Sequence, residues 1–175
     1  MNIFILADEE QQKEIMTKAP AADTSVFFAT AITDLDQSKN YDAFVILSDT
    51  PNFDAAIFNG KPVFVNKVIE TLAESGYPQN VARINAWPGF LERPLWEVAS
   101  NNEKMGENIF ASLNRKVVFV KDQPGFVAAR VISMIVNEAF FAFGENISTI
   151  EEIDKAMKLG TSYPKGPLNG QKKLA

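Results

Sequence analysis

Short apolar runs alternate with helical stretches over the first 120 residues, and after Asp122 the pattern turns helical alone. Alternation of this kind predicts an α/β fold, a parallel sheet covered on both faces in a Rossmann-like domain, followed by a small all-α domain. The composition agrees with a globular chain, with 46% hydrophobic and 22% charged residues among 175. The boundary is expected near Lys121, giving domains of residues 1–121 and 122–175.

The elements follow in order. Residues 2–7 form an apolar run, 9–18 a helical stretch and 25–29 a β-rich run, which together make a β-α-β opening. Asp8, followed three residues later by Gln11, reads as a capping box at the start of the first helix. The runs 43–48 and 62–66 are consistent with buried parallel strands, the second entered through Asn59-Gly60. A helix over 67–75 stops at Gly76, a strand over 83–87 ends at Pro88, and 101–113 reads as helix before the valine-rich strand 116–120.

In the second domain Pro124 suits a first helical turn, so a long helix is expected from Pro124 to about Phe143, before Gly144. Ser148 and Glu151 are expected to cap a second helix over 150–159, closed by Gly160. Arg130, Ser133 and Asn137 make a polar stripe on the long helix, and nearly everything else on it is apolar. About 54 residues follow Lys121, few for enclosing such a helix. A homodimer through the helix from Pro124 to Phe143 is therefore expected.

Charge and residue types exclude several chemistries. A net charge of −5 disfavours nucleic acid or an anionic membrane as partner. Cysteine and histidine are both absent, which leaves no thiolate nucleophile, no imidazole base and no metal site of the common kinds. No metal is expected. The first residues lack the basic segment of a signal peptide, and the apolar region 126–143 is broken by Arg130, Asn137 and Glu138, so a cytoplasmic location is the expectation.

The stretch from Lys121 to Leu168 carries Asp122, Pro124, Gly125, Phe126 and Arg130, then Asn137-Glu138-Ala139, then Glu152 through Gly160, then Tyr163 through Pro167. In this order and spacing it resembles the 3-hydroxyacyl-CoA dehydrogenase family, which includes 3-hydroxybutyryl-CoA dehydrogenases. The resemblance implies a Rossmann domain binding NAD and an active site for 3-hydroxyacyl-CoA oxidation in fatty-acid metabolism. Set against that family, the N-terminal domain looks shortened between residues 30 and 42 and around 52–59, which puts the acyl-CoA cleft in doubt.

The positions that the family uses for chemistry are altered. The family's G-x-G-x-x-G lets a backbone approach the NAD pyrophosphate at a helix start; here residues 7–12 read Ala-Asp-Glu-Glu-Gln-Gln. The ribose-binding acid is missing after the second strand, and Asp34 reads as a helix cap. The family's catalytic histidine, with a glutamate twelve residues on that orients it, corresponds to Asn85 and Glu97. Its substrate-binding asparagine corresponds to Ala129, and its N-T-S-S loop to Val65-Asn66-Lys67-Val68. An amide is no base near neutral pH, and residues of a catalytic set act as a unit.

The expectation is a degenerate family member without NAD binding or dehydrogenase activity, retained for binding or assembly. Glu97 is then a relic. No cofactor is predicted, though a small acyl or CoA-type ligand is possible in the old cleft. The alternative is an active NAD-dependent 3-hydroxyacyl-CoA oxidoreductase with an atypical site. Trp87, Phe90 and Trp96 read as domain-interface packing, with a pocket lining as the other reading, and Lys67 as an exposed lysine or a phosphate contact.

Overall fold

The computed structural model describes residues 1–48, 55–102, 105–160 and 166–169, with the side chain of Ala55 set aside. It divides into two compact units, Met1–Phe126 and Val127–Ala175. The shortened stretch at 52–54, most of the Tyr163 to Pro167 motif, and the terminal lysines Lys165, Lys172 and Lys173 lie outside the described residues.

The first unit is a seven-stranded sheet in the order β2-β1-β3-β4-β5-β6-β7. Its strands are β1 (Asn2–Leu6), β2 (Ser25–Ala29), β3 (Ala43–Ile46), β4 (Val63–Asn66), β5 (Val81–Ile84), β6 (Leu95–Ala99) and β7 (Lys116–Phe119). The first five are mutually parallel; β6 is antiparallel to β5, and β7 runs parallel to β6. The sheet is thus mainly parallel, as expected, with β6 and β7 reversed against the other five strands. Strand β6 was not expected, because the Pro88-Gly89 and Pro94 breaks on either side disguise a strand of five residues.

Both faces of the sheet are covered, and for that reason the central strands read as unbroken apolar runs. Ile3, Ile5, Val45, Phe64 and Ile84 point into one core layer with Ile15 of α1 (Glu9–Ile15) and Phe110 of α3 (Glu107–Ser112). Phe4, Leu6, Phe44, Ile46, Val63 and Val65 point into the other, with Tyr41, Phe58 and Leu72. Each alternation is the period of two that a pleated strand imposes.

Several helices are shorter than expected. The helix ending at Gly76 is one turn, α2 (Leu72–Ser75), because the Thr71 hydroxyl accepts from the Glu74 amide and starts it there; Gly76 stops it at φ 64°. Trp96 is 2% exposed inside the first unit, against Phe110 at 5.5 Å between ring centres, so its expected place at a domain interface is corrected.

The second unit contains α4 (Ala128–Gly144) and α5 (Ile150–Gly160). The long helix does not begin at Pro124. Gly125 and Phe126 have φ of 83° and 50°, and two left-handed residues in succession cannot join a right-handed helix. The expected division at 121/122 correspondingly falls ahead of the turn 122–126, which stays with the first unit through an Asp122–Arg83 ion pair and a hydrogen bond from Gly125 N to Val68 O at 2.7 Å. The cap of α5 sits one residue later than expected. Thr149 Oγ1 accepts from Glu152 N at 3.3 Å, and Glu152 Oε2 accepts from Thr149 N at 3.4 Å and from Ser148 Oγ at 2.6 Å.

Asp154, 5% exposed on α5, accepts from the amides of Leu168 and Asn169 at 2.8 and 3.0 Å. A Cβ on Gly166 would collide with that carboxylate, which accounts for glycine in the Gly-Pro motif. No helix among the described residues is long and apolar enough to cross a membrane.

Candidate functional site

In an open parallel sheet, ligands bind beyond the carboxyl ends of the strands, at the point where strand order reverses. Here that point lies between β1 and β3. The helix start facing it is closed by protein groups, as the sequence predicts. Asp8 Oδ1 accepts from Gln11 N at 2.8 Å, and Gln11 Oε1 accepts from Asp8 N at 3.0 Å. The other end of the Gln11 amide donates to Leu47 O beyond β3 at 3.4 Å, and Gln12 Nε2 donates to Ala7 O at 2.9 Å. A carboxylate thus occupies the amides that would otherwise face a phosphate, with exposed Glu9 and Glu10 beside it.

A chain of amides continues the cluster. Asn66, at the end of β4, donates to the same Leu47 O at 3.4 Å, and its oxygen accepts from Ala86 N at 3.2 Å. Asn85 is 2% exposed and donates from Nδ2 to Glu97 Oε2 at 2.9 Å. Their meeting follows from register. Arg83 faces Ala99 and Ile84 faces Val98, so the next rung of the antiparallel pair places Asn85 opposite Glu97, with Asn85 N donating to Glu97 O at 3.2 Å. The spacing of twelve residues between them is the reach of that hairpin. Asn85 Oδ1 also accepts from Trp87 N at 3.4 Å, so both ends of the amide are engaged.

The loop after Asn85 is held by two charged residues that sequence reasoning did not single out. The Glu14 carboxylate accepts from Gly89 N at 2.6 Å and Leu91 N at 3.2 Å. Arg115, 3% exposed, donates to Ile15 O at 2.8 Å and to Leu91 O at 3.2 Å from Nη2, with its guanidinium over Trp96. Burial pulls the Arg115 pKa below its ordinary value. No local signal distinguishes either residue from a surface charge, because their partners are backbone groups far away in sequence.

The remaining positions divide as follows. Lys67 forms an ion pair with Glu70 at 3.6 Å. Trp87 and Phe90 stack edge to face at 6.4 Å, Phe90 being buried. Ala129 belongs to the second unit, is 1% exposed, and its carbonyl accepts from Ser133 Oγ at 2.9 Å. Asp34 ends a short 3-10 turn (Ile32–Asp34) and is not its N-cap, which is Ala31. Among the described residues, no group of three or more carboxylates is gathered as for a metal ion.

A covered, mainly parallel sheet with its switch point beside the first strand defines a Rossmann-like α/β protein, and solved structures share that fold. (S)-3-Hydroxybutyryl-CoA dehydrogenase from Ralstonia eutropha superposes with a TM-score of 0.61 at 24% identity, over 82% of this chain and 56% of that one. FadB2 of M. tuberculosis superposes at 0.67 and 16% identity, over 97% and 80%. Residues 125–171 match the 3-hydroxyacyl-CoA dehydrogenase C-terminal domain. The 3-hydroxybutyryl-CoA dehydrogenase of Clostridioides difficile is 44% identical over 57 residues, 33% of this chain and 20% of that protein. The match therefore spans about a fifth of that relative's length.

Proposed function

We propose that this chain is a 3-hydroxyacyl-CoA dehydrogenase-like protein without NAD binding or dehydrogenase activity, serving in the cytoplasm for binding or assembly and pairing with a second copy through α4. The observation that carries this reading is the Asn85–Glu97 contact. The glutamate holds an amide where the family's chemistry needs a base, and both ends of that amide are hydrogen-bonded. Closure of the α1 terminus by Asp8 and Gln11 supports the loss of dinucleotide binding, since a phosphate would have to displace a charged cap. A small acyl or CoA-type ligand remains compatible with the loop ordered by Glu14 and Arg115. The test is NADH oxidation with acetoacetyl-CoA by the whole chain. Background rates are expected; ordinary turnover would refute the reading in favour of an active oxidoreductase.

A further inference from the structure

A recess opens at the amino ends of β3 and β4, the end of the sheet away from the switch point and from the Asn85–Glu97 rung. Its volume is about 410 Å³, within the range of small-molecule sites. One wall is the chain leading into β3, from Leu35 to Tyr41; the other is the short 3-10 turn Ala55–Phe58 and the residues after it as far as Lys61. Buried rings close the floor, with Phe44 centred 5.5 Å from Tyr41 and 4.5 Å from Phe58. Hydrogen bonds hold both walls without a ligand. Asn2 Nδ2 donates to Asn40 O at 3.1 Å, and Asn80 Nδ2 donates to Lys61 O at 2.8 Å. Asn59 and Gly60, at φ 51° and 71°, reverse the chain and deliver Lys61, whose N donates to Phe58 O at 2.9 Å. Walls formed in advance spare a ligand the cost of ordering them.

The charge of the recess is one-sided. Lys39 and Lys61 line it and, among the described residues, no carboxylate does, although the chain as a whole carries −5. Lys39 has a counter-charge outside the lining, Asp36 at 3.9 Å, and its ammonium lies over the Phe27 ring. Lys61 is half-buried, and among the described residues its ammonium takes no ion pair and no hydrogen bond. Asp36, Lys39 and Lys61 together therefore leave one positive charge beside an apolar floor. We infer that the recess binds a small organic monocarboxylate, its carboxylate on Lys61 and its aromatic or short aliphatic body over Phe44 and Phe58. A half-buried cation without a partner carries a desolvation cost that a charge-assisted hydrogen bond offsets. One uncompensated charge favours a monoanion over a phosphate dianion. The inference does not depend on whether the Asn85–Glu97 rung is inert, because the two lie at opposite ends of the sheet.

The test is titration calorimetry on the whole chain with benzoate, phenyl phosphate and benzyl alcohol. Benzoate should bind, and benzyl alcohol, a similar body without the charge, should bind about tenfold more weakly or worse, the worth of a hydrogen bond to a charged group. Phenyl phosphate should bind no tighter than benzoate. Lys61→Met keeps the length of the side chain and removes its charge; it should weaken benzoate about tenfold or more, with circular dichroism confirming the fold. Lys158→Met, which removes a cation from α5, should change nothing. Independently of any variant, benzoate should shift the amide resonances of residues 37–41 and 59–61 and leave those of 85–97 in place. No binding at millimolar benzoate, equal binding of benzyl alcohol, indifference to Lys61→Met, or shifts at 85–97 instead would each overturn the site. Tighter binding of phenyl phosphate would overturn the ligand class. Turnover of NADH bears on the proposed function alone, so the two can fail separately.

Discussion

The Arg83 guanidinium, wholly buried in β5, donates from Nη1 to Oδ1 of Asp122, while Asp122 Oδ2 accepts the Leu72 amide at 2.9 Å. One carboxylate thereby neutralises an interior cation and holds the start of α2. Arg83 spends its other donors on Lys67 O at 2.8 Å and Val68 O at 3.2 Å, and its face lies on Phe126. Asp122→Ala is expected to cost about 3 kcal/mol, because it leaves the guanidinium without a counter-charge. Urea unfolding measures this. A loss below about 1 kcal/mol would show that the carbonyls suffice.

Glu97→Gln keeps an oxygen to accept from Asn85 Nδ2, so the rung survives. Stability should change by less than about 1 kcal/mol, and no activity should disappear because none depends on the carboxylate. If a reaction is found and this substitution abolishes it, Glu97 is catalytic and the inactive reading fails.

Asp8→Ala removes the N-cap of α1 and should cost about 1 kcal/mol. In the parent chain NAD and NADH should give no rise in melting temperature. A ligand at one hundred times its dissociation constant adds about 2.7 kcal/mol, so binding would be plain in a thermal shift. The same measurement with CoA and an acyl-CoA decides whether the retained ligand is of that class.

Hydrogen bonds from Ser148 and then from Thr149 hold the Glu152 carboxyl below its ordinary 4.5. A depressed folded value means that the cap's contribution is full above the unfolded pKa and is lost as pH falls through the folded one. Amide exchange at residues 149–153 should therefore quicken relative to the core on acidification below about 4.5. In Glu152→Gln that acid dependence should be absent; its persistence would assign it to another group.

Local chemistry made the first unit legible where an element rests on its own residues. The Asp8–Gln11 box, the stop at Gly76 and the buried strands of the parallel half all depend on neighbours within a few positions. What escaped depends on distant ones. Strand β6 exists because Leu95 to Ala99 lie between β5 and β7, and no period within five residues announces it. The α4 start was misplaced because Pro124 favours a helix while the next two residues turn left-handed. The meeting of Asn85 and Glu97 followed from family spacing, yet its cause, the antiparallel register, became visible only with β6 in place. Glu14 and Arg115 gave no signal because backbone groups distant in sequence are their partners.

That register makes positions 85 and 97 a fixed socket. Backbone pairing, not side-chain affinity, brings the two residues face to face, so any pair of suitable size placed there meets without rearranging the chain. Chemistry at the rung is therefore exchangeable one residue at a time while the sheet stays as it is. The meeting of positions 85 and 97 is a property of the strand pairing, whichever side chains stand there.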